Sequence, residues 1–193
     1  MIVLASASPR RETLLQALWV EHRIIPSLVD EAGSLPGTTA ECAETLALRK
    51  ATEVAARVGE GLVLGADTIV ECGGRLLGKP KDRDEAREFL RLLSGRSHLV
   101  VTGLALVQAG DARIEVGHEA TEVQIRALTD AEIDAYVRTD EPFDKAGGYA
   151  IQGAAEGFIA GIKGSFTNVV GLPLGRLRTL LLRFGIDPLE RQD

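Results

Sequence analysis

The chain has 193 residues, 45% of them hydrophobic and 26% charged, which suits one folded domain with an ordinary core and excludes a disordered chain. A net charge of −6 and an aromatic content of 4% argue against an extended nucleic-acid surface and leave room only for a small basic pocket. No apolar run approaches a membrane span, and the opening MIVLASAS is too short, and lacks the basic start, of a signal peptide.

In chain order, Ile2 to Ala5 is an apolar run that predicts a buried strand. Ser8 and Pro9 then suit the N-cap and first position of a helix whose apolar face is Leu14, Leu15 and Leu18. His22 to Pro26 reads as a second strand, followed by the loop DEAGSLPGTT. Thr38 and Glu41 form a capping box for a long helix with Ala43, Ala47, Val54, Ala55 and Val58 on one face, ended by Gly59 and Gly61. LVLGADTIV predicts a strand carrying one charge, and CGGR a hairpin-like turn. Ala86, Phe89, Leu90 and Leu93 mark another helix. Two long strands, SHLVVTGLALVQ and IEVGHEATEVQIRAL, are joined by AGDAR. Thr129 and Glu132 cap a helix through Val137, and the glycine-rich DKAGGYAIQG follows. A strand from Phe158 to Ile162 and a helix from Leu172 to Phe184 complete the chain. Helices alternating with strands, then two adjacent strands, predict an α/β domain with a mixed sheet and flanking helices, arranged as two lobes around a cleft.

Chemistry concentrates at a few places. SASPRR puts Arg10 and Arg11 on the first turn of a helix, where positive charge opposes the dipole unless an anion compensates it. Their guanidinium groups suit phosphate oxygens. Asp67, alone in an apolar strand and followed by Thr68, is costly to bury unless it is paired, bound to metal or used in catalysis. Asp30 and Glu31 begin the loop after the second strand and offer further carboxylates, although such a VDE run is commonly a solvated charge pair. Lys79 lies in the constrained GKP loop, whereas Lys50, on the long helix, reads on pattern alone as solvated. Near Gly147 and Gly148, Gln152 carries an amide that both donates and accepts, as a base edge requires. His22, His98 and His118 have no nucleophile partner. Cys42 and Cys72 lack metal-site spacing and read as two free thiols in a reducing cytoplasm.

The segments LASASPRRETLL, VDE, VLGADTIV, LLGKPKD, LLSGRSH, DEPFDKAGGYAIQG and NVVGLPL, in this order, resemble the Maf family of nucleoside triphosphate pyrophosphatases. They span the first strand to the last helix, so the resemblance treats residues 1–193 as one domain. It implies a fold related to that of the inosine triphosphate pyrophosphatases. It also implies metal-dependent hydrolysis of a nucleoside triphosphate to the monophosphate and pyrophosphate, with Mg or Mn as cation and a role in clearing nucleotide pools. On this resemblance Asp67 matches the family's proton acceptor and Lys79 a second position in the reaction centre. Arg10, Thr68 and Gln152 match positions tied to substrate choice, and Ser8, Arg11, Glu31 and Lys50 other polar positions of the cleft.

SPRR with DKAGGYAIQG is similar to the branch acting on dTTP and UTP, whereas a sister branch acting on 7-methyl-GTP differs in both places. Trp19 departs from the glycine common in relatives and is expected to affect packing more than chemistry. The residues leave open whether Asp67 takes a proton from water or, with Glu31, holds the metal. The alternative readings are a nucleotide-binding regulator of cell division with little turnover, or a 7-methyl-GTP pyrophosphatase. A cytoplasmic homodimer, without membrane or extended nucleic-acid partners, is the expected state.

Overall fold

A computed structural model describes residues 1–31, 35 and 37–190. Seven strands form a mixed sheet: β1 (Ile2–Leu4), β2 (His22–Ile24), β3 (Gly61–Cys72), β4 (Arg75–Leu77), β5 (Ser97–Ala109), β6 (Ile114–Ile125) and β7 (Ile159–Lys163). Their order is β2-β1-β3-β5-β6-β7, with β4 paired to β3. β1 runs parallel to β2 and β3, while β3–β4 and β6–β7 are antiparallel. The helices are α1 (Pro9–Gln16), α2 (Thr39–Val58), α3 (Arg83–Leu93), α4 (Asp130–Val137), α5 (Phe166–Val170) and α6 (Leu174–Arg183). The α/β architecture with a mixed sheet and flanking helices expected from the sequence is the one observed.

The chain divides into two compact units. One comprises Met1–Asp67, Thr102–Glu119 and Gly171–Asp193, the other Thr68–Val101 and Ala120–Val170. In the first unit the two-residue period of the strands sorts side chains to opposite faces. Ile2, Leu4, Leu62, Leu64, Leu104 and Leu106 pack with Leu15 of α1 and with Leu177, Leu180 and Leu181 of α6. Val3, Ala5, Val63, Ala105 and Val107 face the other way, onto Ala47, Ala51, Val54 and Ala55 of α2.

That second face is built from small residues because α2 comes very close. A Cβ added at Gly65 would lie 2.1 Å from the Ala47 carbonyl oxygen, and one at Gly103 would lie 2.2 Å from that of Ala43. Both exceed what van der Waals contact allows, so β3 and β5 need glycine there. The capping box of Thr38 and Glu41 is present, and Gly59, at φ +75°, ends α2 in the left-handed conformation.

The second unit has its own core. Ala86, Phe89, Leu90 and Leu93 of α3 meet Ile133, Tyr136 and Val137 of α4, strand residues Val70, Leu77, Val100, Val123 and Ile125, and Tyr149 and Phe158. CGGR is a tight turn in which Gly73 and Gly74 both take positive φ, and β4, too short to predict, pairs back through Cys72 and Arg75. α5 was also unforeseen; five residues with β-branched Thr167, Val169 and Val170 carry no helical signature. It is held by the buried Asn168, whose Nδ2 donates to the Val100 carbonyl and to Thr121 Oγ1, each at 2.9 Å.

Other boundaries move slightly. The second strand stops at Ile24, the last strand begins at Ile159, and the last helix begins at Leu174, after Pro173. Trp19 is 89% exposed and takes φ +56°, a left-handed conformation costly for a residue with a side chain. Among the described residues no helix is long and apolar enough to cross a membrane. Cys42 and Cys72 are free and buried.

Two outcomes follow from these cores. Gly65→Ala is expected to lower stability by about 2 kcal/mol or more in urea melts, because a backbone atom and not a flexible side chain stands in the way. His98 is buried, with Nε2 2.6 Å from the Tyr149 hydroxyl and, among the described residues, no partner at Nδ1, and burial depresses its pKa from 6.5 to about 4. Between those values the unfolded chain binds the extra proton, so stability falls as pH drops from 6.5 towards 4 and is untouched above 6.5. Thermal melts of His98→Gln across that window should be flatter than those of the parent; parallel curves would refute the assignment.

Candidate active site

The first unit assembles six of the residues singled out in the sequence: Ser8, Arg10, Arg11, Glu31, Lys50 and Asp67. β1 ends at Leu4, the chain turns through Ala5 to Ser8, and α1 begins at Pro9. Ser8 occupies the N-cap position but its hydroxyl makes no cap hydrogen bond, which departs from the capping role expected of it. Its backbone N–H donates instead to Ser6 Oγ at 3.2 Å.

Ser6 was missed in the sequence. It is buried, and its hydroxyl oxygen also accepts from Arg11 Nη1 at 3.2 Å, while Arg11 Nε donates to the Gly171 carbonyl at 2.8 Å. The guanidinium of Arg11 thus ties the turn after β1 to the segment leading into α6. Its signal was a hydroxyl placed where an apolar run gives out, a pattern too common to single out.

Asp67 lies on β3 two residues beyond Gly65, so it faces α2 as Gly65 does. On that helix Lys50, adjacent to Ala51, reaches it: Lys50 Nζ is 2.5 Å from Asp67 Oδ1 and 2.6 Å from Glu31 Oε1. The Lys50 and Asp67 side chains are only 8% and 10% exposed, and Glu31 is half exposed at 48%. The solvated lysine read from pattern is therefore corrected. Close packing of small residues draws α2 onto β3, and the ammonium finds two carboxylates instead of water.

Arg11 belongs to the same electrostatic group. Burial lowers its pKa, Asp67 and Glu31 push it back up, and Arg10 lowers it further. A guanidinium lowered in this way still keeps its charge throughout the physiological range. Arg10, Arg11 and Lys50 thus lie in one electrostatic group with Asp67 and Glu31.

Glu31 and Asp67, bridged by one ammonium, are two oxygen donors converging on a cation. That donor set suits a magnesium-type ion that shares its coordination with substrate phosphates, not one caged by protein alone. Among the described residues no three His, Cys, Asp or Glu side chains gather into a metal-holding group. The second unit carries the remaining candidates. Thr68 follows Asp67 on β3 and is half-buried, whereas Lys79, after β4, and Gln152, in the loop before the Ala154–Phe158 turn, are exposed.

In this α/β fold one strand leads through a serine-proline turn into a helix with paired arginines, beside an ion-paired buried aspartate. The chain belongs to the Maf family: the family model described as Maf-like protein matches residues 1–184. Among curated relatives it is 50% identical over 188 residues to a protein of Pelotomaculum thermopropionicum named dTTP/UTP pyrophosphatase, covering 97% of this chain and 98% of that one. A relative of the same name from Thermococcus gammatolerans is also 50% identical, over 191 residues, 99% of this chain and 100% of its own. A solved structure of the Staphylococcus aureus Ham1 protein aligns with a TM-score of 0.45 at 20% identity, over 64% of this chain and 71% of that one, too partial a likeness to bear on chemistry.

Lys50→Met leaves Asp67 as a buried carboxylate without its cation, and a loss of about 3 kcal/mol is expected in chemical denaturation. Adding Asp67→Asn should recover part of that loss. An unchanged midpoint for Lys50→Met would show that the pair contributes nothing to stability.

Proposed function

We propose that the chain hydrolyses nucleoside triphosphates, dTTP and UTP foremost, to the monophosphate and pyrophosphate, clearing them from the nucleotide pool. The observation that carries this reading is the Lys50–Asp67 pair with Glu31 and Arg11 around it. The name carried by relatives at 50% identity over nearly the whole chain supports it independently.

In this reading water attacks the α-phosphorus as its proton passes to the Asp67 carboxylate. The bond from the α-phosphorus to the bridging oxygen breaks, and pyrophosphate leaves with the electron pair. Lys50 donates to Asp67 Oδ1 and fixes the carboxylate in place. Arg10 and Arg11, with the uncapped first turn of α1, stabilise the charge that grows on the phosphate oxygens. A divalent cation, Mg or Mn, would be held by Glu31 and Asp67 and, when bound, neutralises phosphate charge and lowers the pKa of water. The roles of Ser8 and Lys79 towards phosphate, and of Thr68 and Gln152 towards the pyrimidine edge, rest on the family resemblance. Two free, buried thiols fit a reducing cytoplasm, and a homodimer is the commonest oligomer for such a chain.

The test is an incubation with dTTP, UTP, CTP, dATP, GTP and 7-methyl-GTP in the presence of Mg or Mn, with the products identified. Monophosphate and pyrophosphate from dTTP and UTP, abolished by chelator, are expected. Asp67→Asn should retain nucleotide binding and lose about 100-fold or more in kcat. Preference for 7-methyl-GTP would overturn the substrate, and binding without turnover of any nucleotide would favour the regulator.

A further inference from the structure

Gln152 sits exposed in a loop whose two sides are held by one pair of side chains, the buried Tyr136 and the half-buried Glu141. Tyr136, on α4, is 4% exposed, and its hydroxyl donates to Glu141 Oε1 at 2.9 Å. The Ala150 backbone N–H faces the same phenolic oxygen. Across the loop, Glu141 Oε2 accepts from the Ala154 N–H at 3.0 Å and Oε1 from the Ala155 N–H at 3.4 Å. Between these anchors Gly153 adopts φ +147°, and a Cβ there would stand 2.6 Å from Glu141 Oε2. The carboxylate is seated against the backbone so closely that only glycine fits.

Glu141 is itself held from its own backbone. Its N–H donates to Thr139 Oγ1 at 3.3 Å, and its carbonyl accepts from Lys145 Nζ at 2.8 Å. Burial and the Glu141 hydrogen bond both push the Tyr136 pKa up, so the phenol remains a donor throughout the physiological range. A tyrosine and a glutamate thus pin the backbone two residues before Gln152 and two and three residues after it.

We infer that Glu141, backed by Tyr136, is a positioning residue that sets the backbone under Gln152 and thereby the discrimination between pyrimidine bases. The inference rests on the reading of Gln152 as the group that meets the base. A site built to hydrogen-bond one base edge penalises the wrong edge only while its polar group is held in place. Loosening the loop should therefore raise KM for dTTP and UTP more than it lowers kcat, and should narrow the gap to CTP. Glu141→Ala removes all three acceptor contacts; Glu141→Gln keeps the volume and turns an amide N–H₂ towards the Ala154 donor.

The experiment measures kcat and KM for dTTP, UTP and CTP in Glu141→Ala, Glu141→Gln, Gln152→Ala and the Glu141→Ala/Gln152→Ala pair, with thermal melts to verify folding. About a ten-fold loss of dTTP-over-CTP selectivity is expected in Glu141→Ala, with the double variant no worse than Gln152→Ala alone. Unchanged selectivity in folded Glu141→Gln and Glu141→Ala, or additive losses in the pair, would overturn the inference. If Gln152→Ala itself leaves selectivity intact, the reading of Gln152 fails, and amide exchange at Ala150, Ala154 and Ala155 decides the clamp. Faster exchange in Glu141→Ala upholds the clamp and unchanged exchange ends it.

Discussion

The distance between α2 and the sheet governs the first unit. Gly65 and Gly103 present bare backbone to the carbonyls of Ala47 and Ala43, and the alanines of α2 keep that face thin. The gain is dispersion contact along a twenty-residue helix. The consequence is electrostatic. With the helix this near, Lys50 cannot extend to water past β3, and the carboxylate two residues beyond Gly65 lies within its reach. A packing decision made by the smallest side chains thereby places the most charged contact in the unit.

Burying a lysine and an aspartate strips both of water, and the pair alone roughly breaks even against apolar residues of the same size. Its persistence is better explained by use than by stability. Glu31, the half-exposed member, brings the group to the edge of solvent while Lys50 itself stays buried, and Arg11 adds charge from the first helix. Arg11 also has a mechanical part, since its bonds to Ser6 and Gly171 link the turn after β1 to a segment 160 residues away in the chain. The question posed by adjacent arginines at a helix start has a partial answer: Arg11 braces the turn, and its charge stands against two carboxylates.

Much of this was legible in the sequence. Both capping boxes, the CGGR turn and the alternating strands carry local signals that tertiary packing did not override. Asp67 stood out because a charge inside an apolar run needs a partner. Which partner was not legible, since Lys50 is 17 positions upstream on another element and a helical lysine defaults to water. Asn168 and Glu141 escaped for a related reason: each acts on backbone groups that are distant in sequence, and neither propensity nor periodicity encodes such contacts.

Trp19 carries a consequence for the optical properties of the molecule. It is the single tryptophan, it belongs to the first unit, and it is 89% exposed, so its indole is already in water in the native state. Its emission maximum has almost no further to shift when that unit unfolds. Both tyrosines, Tyr136 and Tyr149, are buried in the second unit. Ultraviolet absorbance and near-ultraviolet dichroism therefore follow the loss of structure around the Gln152 loop, while the first unit can come apart with little change in colour.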